Sequence, residues 1–273
     1  MRKRKTKDRG RTLNLQKPSL AGLSLLVLFV GLQVSAFPAP ADEFPHPFQP
    51  GEQLTYSLRW KFIHAGSAVF EVLPMEELNG VRAYHFVMTV RSSSFLDVFY
   101  KVRDRVEGYA DMAMAHSLLY KNEQREGDYS RDVIVTFDWE SQTAQFENRG
   151  EKRDPIFVYP GTFDPLSITY FVRMQKLVPG SVLKAPVTDG KRLVIGRLKV
   201  IEKQKVKVPA GKFEAFLMEP VVKNLGGVFK RSEASGIQIW LSADPSQVPL
   251  KVIGKAKLGS FSAVLVSAGS VSR

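Results

Sequence analysis

The chain has 273 residues and is 44% hydrophobic, which is enough apolar side chain for an extensive core and argues against disorder. Its formal charge of +12 is concentrated at the N-terminus, because residues 1–36 hold eight Lys or Arg and one Asp, and the rest holds 31 bases against 26 acids. These remaining charges are interspersed and form no basic stripe beside stacking aromatics, so the sequence predicts no nucleic-acid partner.

Residues 1–36 have the pattern of a secretory signal peptide. A basic region precedes the apolar run Leu20–Val34, and the small residues Ser35 and Ala36 follow it. This run is too short for a comfortable membrane span. The pattern predicts export to the periplasm, with cleavage at Ala36 or at Ala41. An uncleaved N-terminal anchor in the inner membrane is the alternative.

Two regions follow the signal peptide. Residues 37–51 are rich in proline and lack periodicity, which predicts a mobile leader. Residues 52–273 predict one domain with about a dozen short strands separated by turns. The strands Leu54–Phe62, Tyr84–Val90 and Tyr129–Trp139 alternate between apolar and polar residues, as half-buried antiparallel strands do. The expected fold is therefore mostly β: a curved antiparallel meander or half-barrel.

One segment has helical spacing instead. In Asp164–Leu177, Asp164 is the expected N-cap, Pro165 the first helical residue, and apolar residues recur at 166, 170, 174 and 177. Pro179 and Gly180 then end the pattern. The sequence predicts a single helix that covers part of the sheet and shifts as a lid when a ligand enters.

The stretch VPAGKFEAF (residues 208–216) contains a Gly-Lys pair but lacks the spacing of a phosphate-binding loop. Pro209 pre-sets the first corner of a β-turn, and Gly211 tolerates a positive φ. The stretch therefore predicts a corner between two strands.

No residue pattern indicates catalysis or metal binding. The four histidines (His46, His64, His85 and His116) have no metal-ligand spacing, and the chain has no cysteine for a disulfide or thiolate site. Ser181–Lys184 matches the S-x-x-K nucleophile pattern, but the match follows Pro-Gly and begins a predicted strand, whereas the catalytic serine of that motif opens a helix, so it does not indicate catalysis. The sequence thus predicts no catalytic residue, metal or cofactor and favours a non-enzymatic role.

Three charged residues lie among apolar ones in the predicted elements. Asp104 is in phase with Val106, Arg131 lies near Val133, and Arg173 is on the helix. Inward charges are costly unless they pair, so they indicate either a structural ion pair or polar anchors in an apolar pocket. With the largest aromatic residues of the three strands, they form the predicted ligand-binding set: Tyr56, Trp60, Phe86, Asp104, Arg131, Phe137, Trp139 and Arg173.

Five segments together resemble a known family: FQPGEQLTYSLRWKFIHAGSAVFEV, DPLSITYFVRM, VPAGKFEAF, GIQIWLSADPSQVPLKV and GSFSAVLV. The family is the bacterial exported one catalogued as domain of unknown function 3108, and the resemblance covers about residues 48–266. It implies an envelope location and a curved sheet similar to the half-barrel of periplasmic lipoprotein carriers, which hold acyl chains on a concave apolar face. It implies no assigned activity. The positions that match its pattern are Gly51, Glu52, Tyr56, Gly66, Asp164, Tyr170, Arg173, Pro209, Gly211, Trp240, Asp244 and Pro249.

These observations favour an exported envelope protein that binds a lipid, a lipoprotein acyl chain or another amphipathic ligand inside a curved sheet. The alternative is a structural or assembly factor that holds a protein or polysaccharide partner in the envelope. A hydrolase with an unrecognised site is less favoured, since no residue pattern indicates catalysis.

Overall fold

The computed structural model describes residues 46–221, 236–256 and 259–270, in which it defines fifteen strands and two short helices. The predicted signal peptide and most of the predicted leader lie outside the described residues. Within them, no helix has the length and apolar character needed to cross a membrane. The elements are β1 (Glu52–Trp60), β2 (Ile63–Leu78), β3 (Val81–Ser92), α1 (Ser94–Asp97), β4 (Arg103–Asp111), β5 (Ser117–Glu126), β6 (Tyr129–Asp138), β7 (Thr143–Asn148), β8 (Glu151–Lys152), β9 (Ile156–Phe157), α2 (Ser167–Arg173), β10 (Val182–Thr188), β11 (Leu193–Val208), β12 (Gly211–Pro220), β13 (Gln238–Ser242), β14 (Pro249–Ala256) and β15 (Gly259–Ser270).

All the described strands belong to one antiparallel sheet. Its order is β10-β11-β12-β13-β14-β15-β1-β2-β3-β4-β5-β6-β7-β8, and β9 also pairs with β7. Neighbours in the sheet are neighbours in the chain except where β9 pairs with β7 and where β15 pairs with β1 and so joins the last strand to the first. The predicted mostly β, curved antiparallel meander is confirmed.

The sheet curls far enough for its two arms to meet. Gly190, in the turn between β10 and β11, has φ +81°, and a Cβ there would lie 2.7 Å from a methyl of Val135 on β6. Lys191 lies over the ring of Phe146 on β7, 5.0 Å from its centroid. A bulkier residue at position 190 would push these arms apart, so glycine permits the close approach.

The interior holds three apolar clusters. The largest is formed mainly by β3–β7, with Phe48 and Tyr170. A second lies on β1, β2, β11, β12 and the strands β13–β15, and a small third one surrounds Leu177 where the chain leaves α2. The helix therefore lies between a packed half of the sheet and the arm that β10 and β11 form.

The structure corrects the extent of the predicted helix. Regular α-helix begins at Ser167 with Leu166 as its N-cap, so the predicted N-cap Asp164 and first helical residue Pro165 both precede it. Asp164 still accepts the N–H groups of Leu166 at 2.7 Å and Ser167 at 2.9 Å. It ends at Arg173, because the side chain of Gln247 donates to the carbonyl groups of Arg173 (2.6 Å) and Gln175 (3.1 Å). These bonds satisfy carbonyls that a longer helix would have used.

Two further predictions are corrected near the ends of strands. β1 ends at Trp60 rather than Phe62, since Lys61 has φ +52° and Trp60 pairs with Ile63 across a two-residue turn. The sequence predicted only one helix in the whole domain, but a second one, α1, lies between β3 and β4. The Ser93 hydroxyl accepts the N–H of Leu96 there, and this local cap stabilises a helical turn.

The leader was predicted to reach residue 51, and Phe48 within it packs against the sheet. Phe48 is buried and its ring meets those of Tyr84, Phe86 and Tyr170 at 5.1–5.5 Å. The proline-rich composition of the leader gave no sign of this contact, because a single large aromatic residue is enough to hold a short segment against a core.

The predicted corner at residues 208–216 is a tight hairpin, in which Val208 pairs with Gly211 and Gly211 has φ +146°. We expect Gly211→Val to lower the free energy of unfolding by about 1–3 kcal/mol, because a β-branched residue is strained at this φ. Lys212→Ala, at the exposed neighbouring position, should change it by less than about 0.5 kcal/mol. Urea denaturation measures both, and equal stability of the two variants would contradict the assignment.

Candidate functional site

A cavity of about 700 Å³ lies between α2 and nine consecutive strands of the sheet, from β10 through β15 and β1 to β3. Cavities of roughly 300–1,000 Å³ are typical of small-molecule sites. The walls are almost wholly apolar, as shown by Leu54, Leu58, Phe70, Met88 and Ile239. The apolar side chains on the concave face of these nine strands therefore do not pack completely against one another, and they leave a cavity.

Small residues keep the cavity open. Ala185 on β10 pairs directly with Gly196 on β11, and both line the cavity, so no large side chain projects from either strand at that point. Ala68 and Ala263 leave similar room on β2 and β15. Large aliphatic residues at these positions would fill the space, as they do in an ordinary protein core.

Buried hydrogen bonds fix the chain at the start of α2. The Asp164 carboxylate is fully buried and accepts the Ser117 hydroxyl of β5 at 2.6 Å. Burial raises the pKa of Asp164, and the hydrogen bonds from Ser117 and Ser167 oppose that rise. Gly108 allows β4 to approach, because a Cβ there would lie 2.7 Å from the Ser167 hydroxyl.

An ion pair fixes the other end of α2. Arg173 is 1% exposed, and its guanidinium donates to the two carboxylate oxygens of Glu52 at 2.6 and 2.8 Å. It also donates to the carbonyls of Pro47 at 3.1 Å and Ser246 at 3.1 and 3.2 Å. One side chain thus joins the helix to the segment before β1, to β1 itself and to the connection between β13 and β14.

Aromatic residues surround this ion pair. The Arg173 guanidinium lies 5.4 Å from the ring centroid of Phe48 and 5.5 Å from that of Tyr170. Tyr170 in turn stacks on Phe86, with ring centroids 3.8 Å apart. Burial raises the pKa of the hydroxyls of Tyr170 and Tyr56 above the ordinary value, so both are neutral at physiological pH.

Comparison with known proteins identifies the family. The sequence profile of the "Protein of unknown function (DUF3108)" family matches residues 55–266. The chain belongs to this family. No curated protein matches it at the sequence level.

Solved structures of similar architecture have little sequence identity to this family member. A β-barrel-like protein of the DUF1849 domain from Brucella abortus is 10% identical, with a TM-score of 0.48, over 81% of this chain and 98% of the other. A candidate lipoprotein from Parabacteroides distasonis is 8% identical (TM-score 0.36) over 83% of this chain and 98% of its own. A candidate exported protein with a YmcC-like fold from Bacteroides fragilis is 11% identical (TM-score 0.29) with the same coverage.

Two of the eight residues predicted for ligand binding line the cavity, namely Tyr56 and Arg173. The Tyr56 hydroxyl donates to the Pro249 carbonyl at 2.7 Å, which leaves its ring as part of the wall. Arg173 is bound to Glu52, so its main role is to hold α2 in place.

The other predicted aromatics lie outside the cavity wall. Phe86 is fully buried beneath Tyr170, and Phe137 stacks on Trp139 with centroids 5.9 Å apart in the packed half. The Trp139 indole N–H donates to the Ser117 carbonyl at 2.9 Å. Trp60 stacks on Phe261 at the far end of β1.

The two remaining charged candidates do not line the cavity, although Asp104 pairs across β3 and β4 with Val90 of its wall. Asp104 accepts the backbone N–H of Arg125 at 2.8 Å, and burial is the largest influence that raises its pKa. The guanidinium of Arg131 lies over the Phe146 ring at 5.9 Å. Two side-chain pairs hold the site together, Glu52 with Arg173 and Ser117 with Asp164. Sequence reasoning did not predict that these residues are partners.

We expect Arg173→Met or Glu52→Gln to lower the free energy of unfolding by about 3–5 kcal/mol, since each leaves the other partner buried without its counter-charge. The exposed pair of Arg125 and Asp132, 2.5 Å apart, is the control. Arg125→Ala should cost less than about 1 kcal/mol, because solvent screens that pair. Urea denaturation at one pH compares them, and similar losses for Arg173→Met and Arg125→Ala would refute the role of the buried pair.

Proposed function

We propose that this protein is an exported, non-enzymatic envelope protein that holds the acyl chain of a lipid, a lipoprotein or another amphiphile in the cavity beside α2. The observation that carries the proposal is the cavity of about 700 Å³ lined by apolar side chains of nine strands and a helix. The N-terminal signal pattern supports the envelope location.

The chemistry of the wall suits a hydrocarbon chain. Burial of each methylene group contributes about 0.8 kcal/mol, so a long acyl chain gains much by leaving water. Aliphatic residues such as Leu54, Val90, Leu183 and Val252 supply such a surface. They provide no directional contact, which favours a ligand recognised by its length and apolar character.

The few charged residues of the wall contribute little to recognition of a ligand. Arg173, Lys184 and Arg197 line the cavity, and the described lining includes no acidic residue. Arg173 is neutralised by Glu52, whereas Lys184 and Arg197 are exposed residues opposite each other on β10 and β11. Successive residues of a strand point to opposite faces, so the side chains of Lys184 and Arg197 lie on the face opposite Ala185 and Gly196 and set no preference for the charge of a head group.

A fluorescent fatty acid tests the proposal. None of the three tryptophans, Trp60, Trp139 and Trp240, lines the cavity, so intrinsic fluorescence is a poor reporter. We expect saturable binding of cis-parinaric acid, which other long-chain fatty acids displace. Ala185→Phe should weaken this binding at least about tenfold, since the added ring occupies the space that the chain needs.

Val182→Phe is the matched control, because Val182 lies on the same strand but is exposed and outside the cavity wall. It should bind the fatty acid as the unaltered protein does. Unaltered protein that binds no fatty acid, or equal binding by the Ala185→Phe and Val182→Phe variants, would contradict the proposed site. Thermal unfolding of both variants confirms that each is folded.

A further inference from the structure

A cluster of large apolar side chains is exposed at one end of the sheet. It combines the turn between β1 and β2 with the connection between β3 and β4. Phe62 is 93% exposed and Phe99 74%. We call this cluster the aromatic tip, and its members are Phe62, Ile63, Phe95, Val98, Phe99 and Tyr100.

Hydrogen bonds join the two segments of the aromatic tip. The N–H of Ser93 donates to the Ala65 carbonyl at 2.8 Å, and the Ser93 hydroxyl donates to the His64 carbonyl at 3.1 Å. The rings of Phe95 and Phe99 meet edge to face, with centroids 5.8 Å apart. The exposed rings are therefore carried by two segments that are hydrogen-bonded to each other.

The element that carries these rings is well supported. Asp97 of α1 accepts from the Arg103 guanidinium at 2.5 and 3.1 Å, which ties α1 to the start of β4. Tyr100 donates its hydroxyl to Glu126 at 3.2 Å. The backbone is held in this way while the apolar side chains that it carries are exposed to water. Exposed apolar side chains clustered in this way mark an interaction surface.

The exposed charges of the two segments that carry the aromatic tip are positive, and the adjacent hairpin of β5 and β6 adds the acids Glu126 and Asp128. Within residues 59–65 and 91–101 the four bases, Arg59, Lys61, Arg91 and Lys101, are all exposed. The one acid of these two segments, Asp97, is paired with Arg103, and Glu126 of the neighbouring strand accepts the Tyr100 hydroxyl. The surface thus combines aromatic rings with flanking lysines and arginines.

We propose that the aromatic tip docks onto the surface of a bilayer that contains anionic phospholipid. Aromatic rings are favoured at the boundary between head groups and acyl chains, and each Lys or Arg near an anionic surface adds about 1 kcal/mol of attraction. Protein interfaces are depleted of lysine, whereas lysine stems extend readily along a membrane interface. Lys61 and Lys101 beside the rings therefore favour a bilayer over a protein partner.

The aromatic tip continues strands that line the cavity. Leu58 of β1 and Val90 of β3 belong to the cavity wall, and the turn with Phe62 and the segment with Phe95 follow directly along the chain. Docking at this end would bring those strands next to lipid. The proposal does not depend on the identity of the cavity's ligand, because membrane contact is measured separately from fatty-acid binding.

Vesicle flotation tests the proposal, with protein produced from Phe37 so that the basic N-terminal region does not itself bind the vesicles. We expect the protein to float with vesicles of phosphatidylethanolamine and phosphatidylglycerol and to bind pure phosphatidylcholine at least about tenfold more weakly. The double variant Phe95→Ser, Phe99→Ser should lose at least about tenfold of its binding to the anionic vesicles. The double variant Lys61→Glu, Lys101→Glu should also bind the anionic vesicles more weakly, and this loss of binding should be larger at low salt.

The chain offers a matched control in Phe157 and Tyr159, which are 54% and 50% exposed and meet edge to face at 5.4 Å. The double variant Phe157→Ser, Tyr159→Ser should bind anionic vesicles as the unaltered protein does. No flotation of the unaltered protein, or equal loss in the two double variants, would overturn the proposal. Equal binding to anionic and neutral vesicles would also overturn it.

Discussion

The buried bond between Arg173 and Glu52 is the constraint on which the site depends. It joins the end of α2 to the start of β1, and the same guanidinium also holds carbonyls of Pro47 and Ser246. The helix is held by the buried Arg173 near one end and by the buried Asp164 just before the other. It cannot move along its axis without leaving a charge unpaired. The helix is therefore better described as a fixed wall than as the mobile lid that its sequence suggested.

This fixed wall divides the interior into two parts with different physical character. Between α2 and β3–β7, aromatic and aliphatic side chains pack as in an ordinary core. On the other side, Ala185 and Gly196 leave space that the anchored helix cannot move to fill. A void deprives its lining of packing contacts and so costs stability. The cost of keeping both the anchors and the cavity is the physical reason for proposing that the cavity takes up a ligand.

Sequence patterns predicted the fold better than the site. Period-two alternation indicates which face of a strand is apolar, and the hairpin at Gly211 follows from local turn chemistry. The same alternation does not show whether an apolar face packs or lines a cavity, which is why Phe86 and Trp139 were predicted to contact ligand. That outcome depends on the curl of the sheet and on pairs distant in sequence. Arg173 and Glu52 are 121 residues apart, so no local pattern joins them.

The central claim is that the cavity beside α2 holds an amphiphile in the native envelope. Native mass spectrometry of the protein purified without detergent from its own host tests this claim most directly. The account predicts a population heavier than the polypeptide by the mass of one lipid-like molecule, which organic extraction releases and fragmentation identifies by its acyl chains. Protein recovered only in the unliganded state, or bound only to another polypeptide, would contradict it.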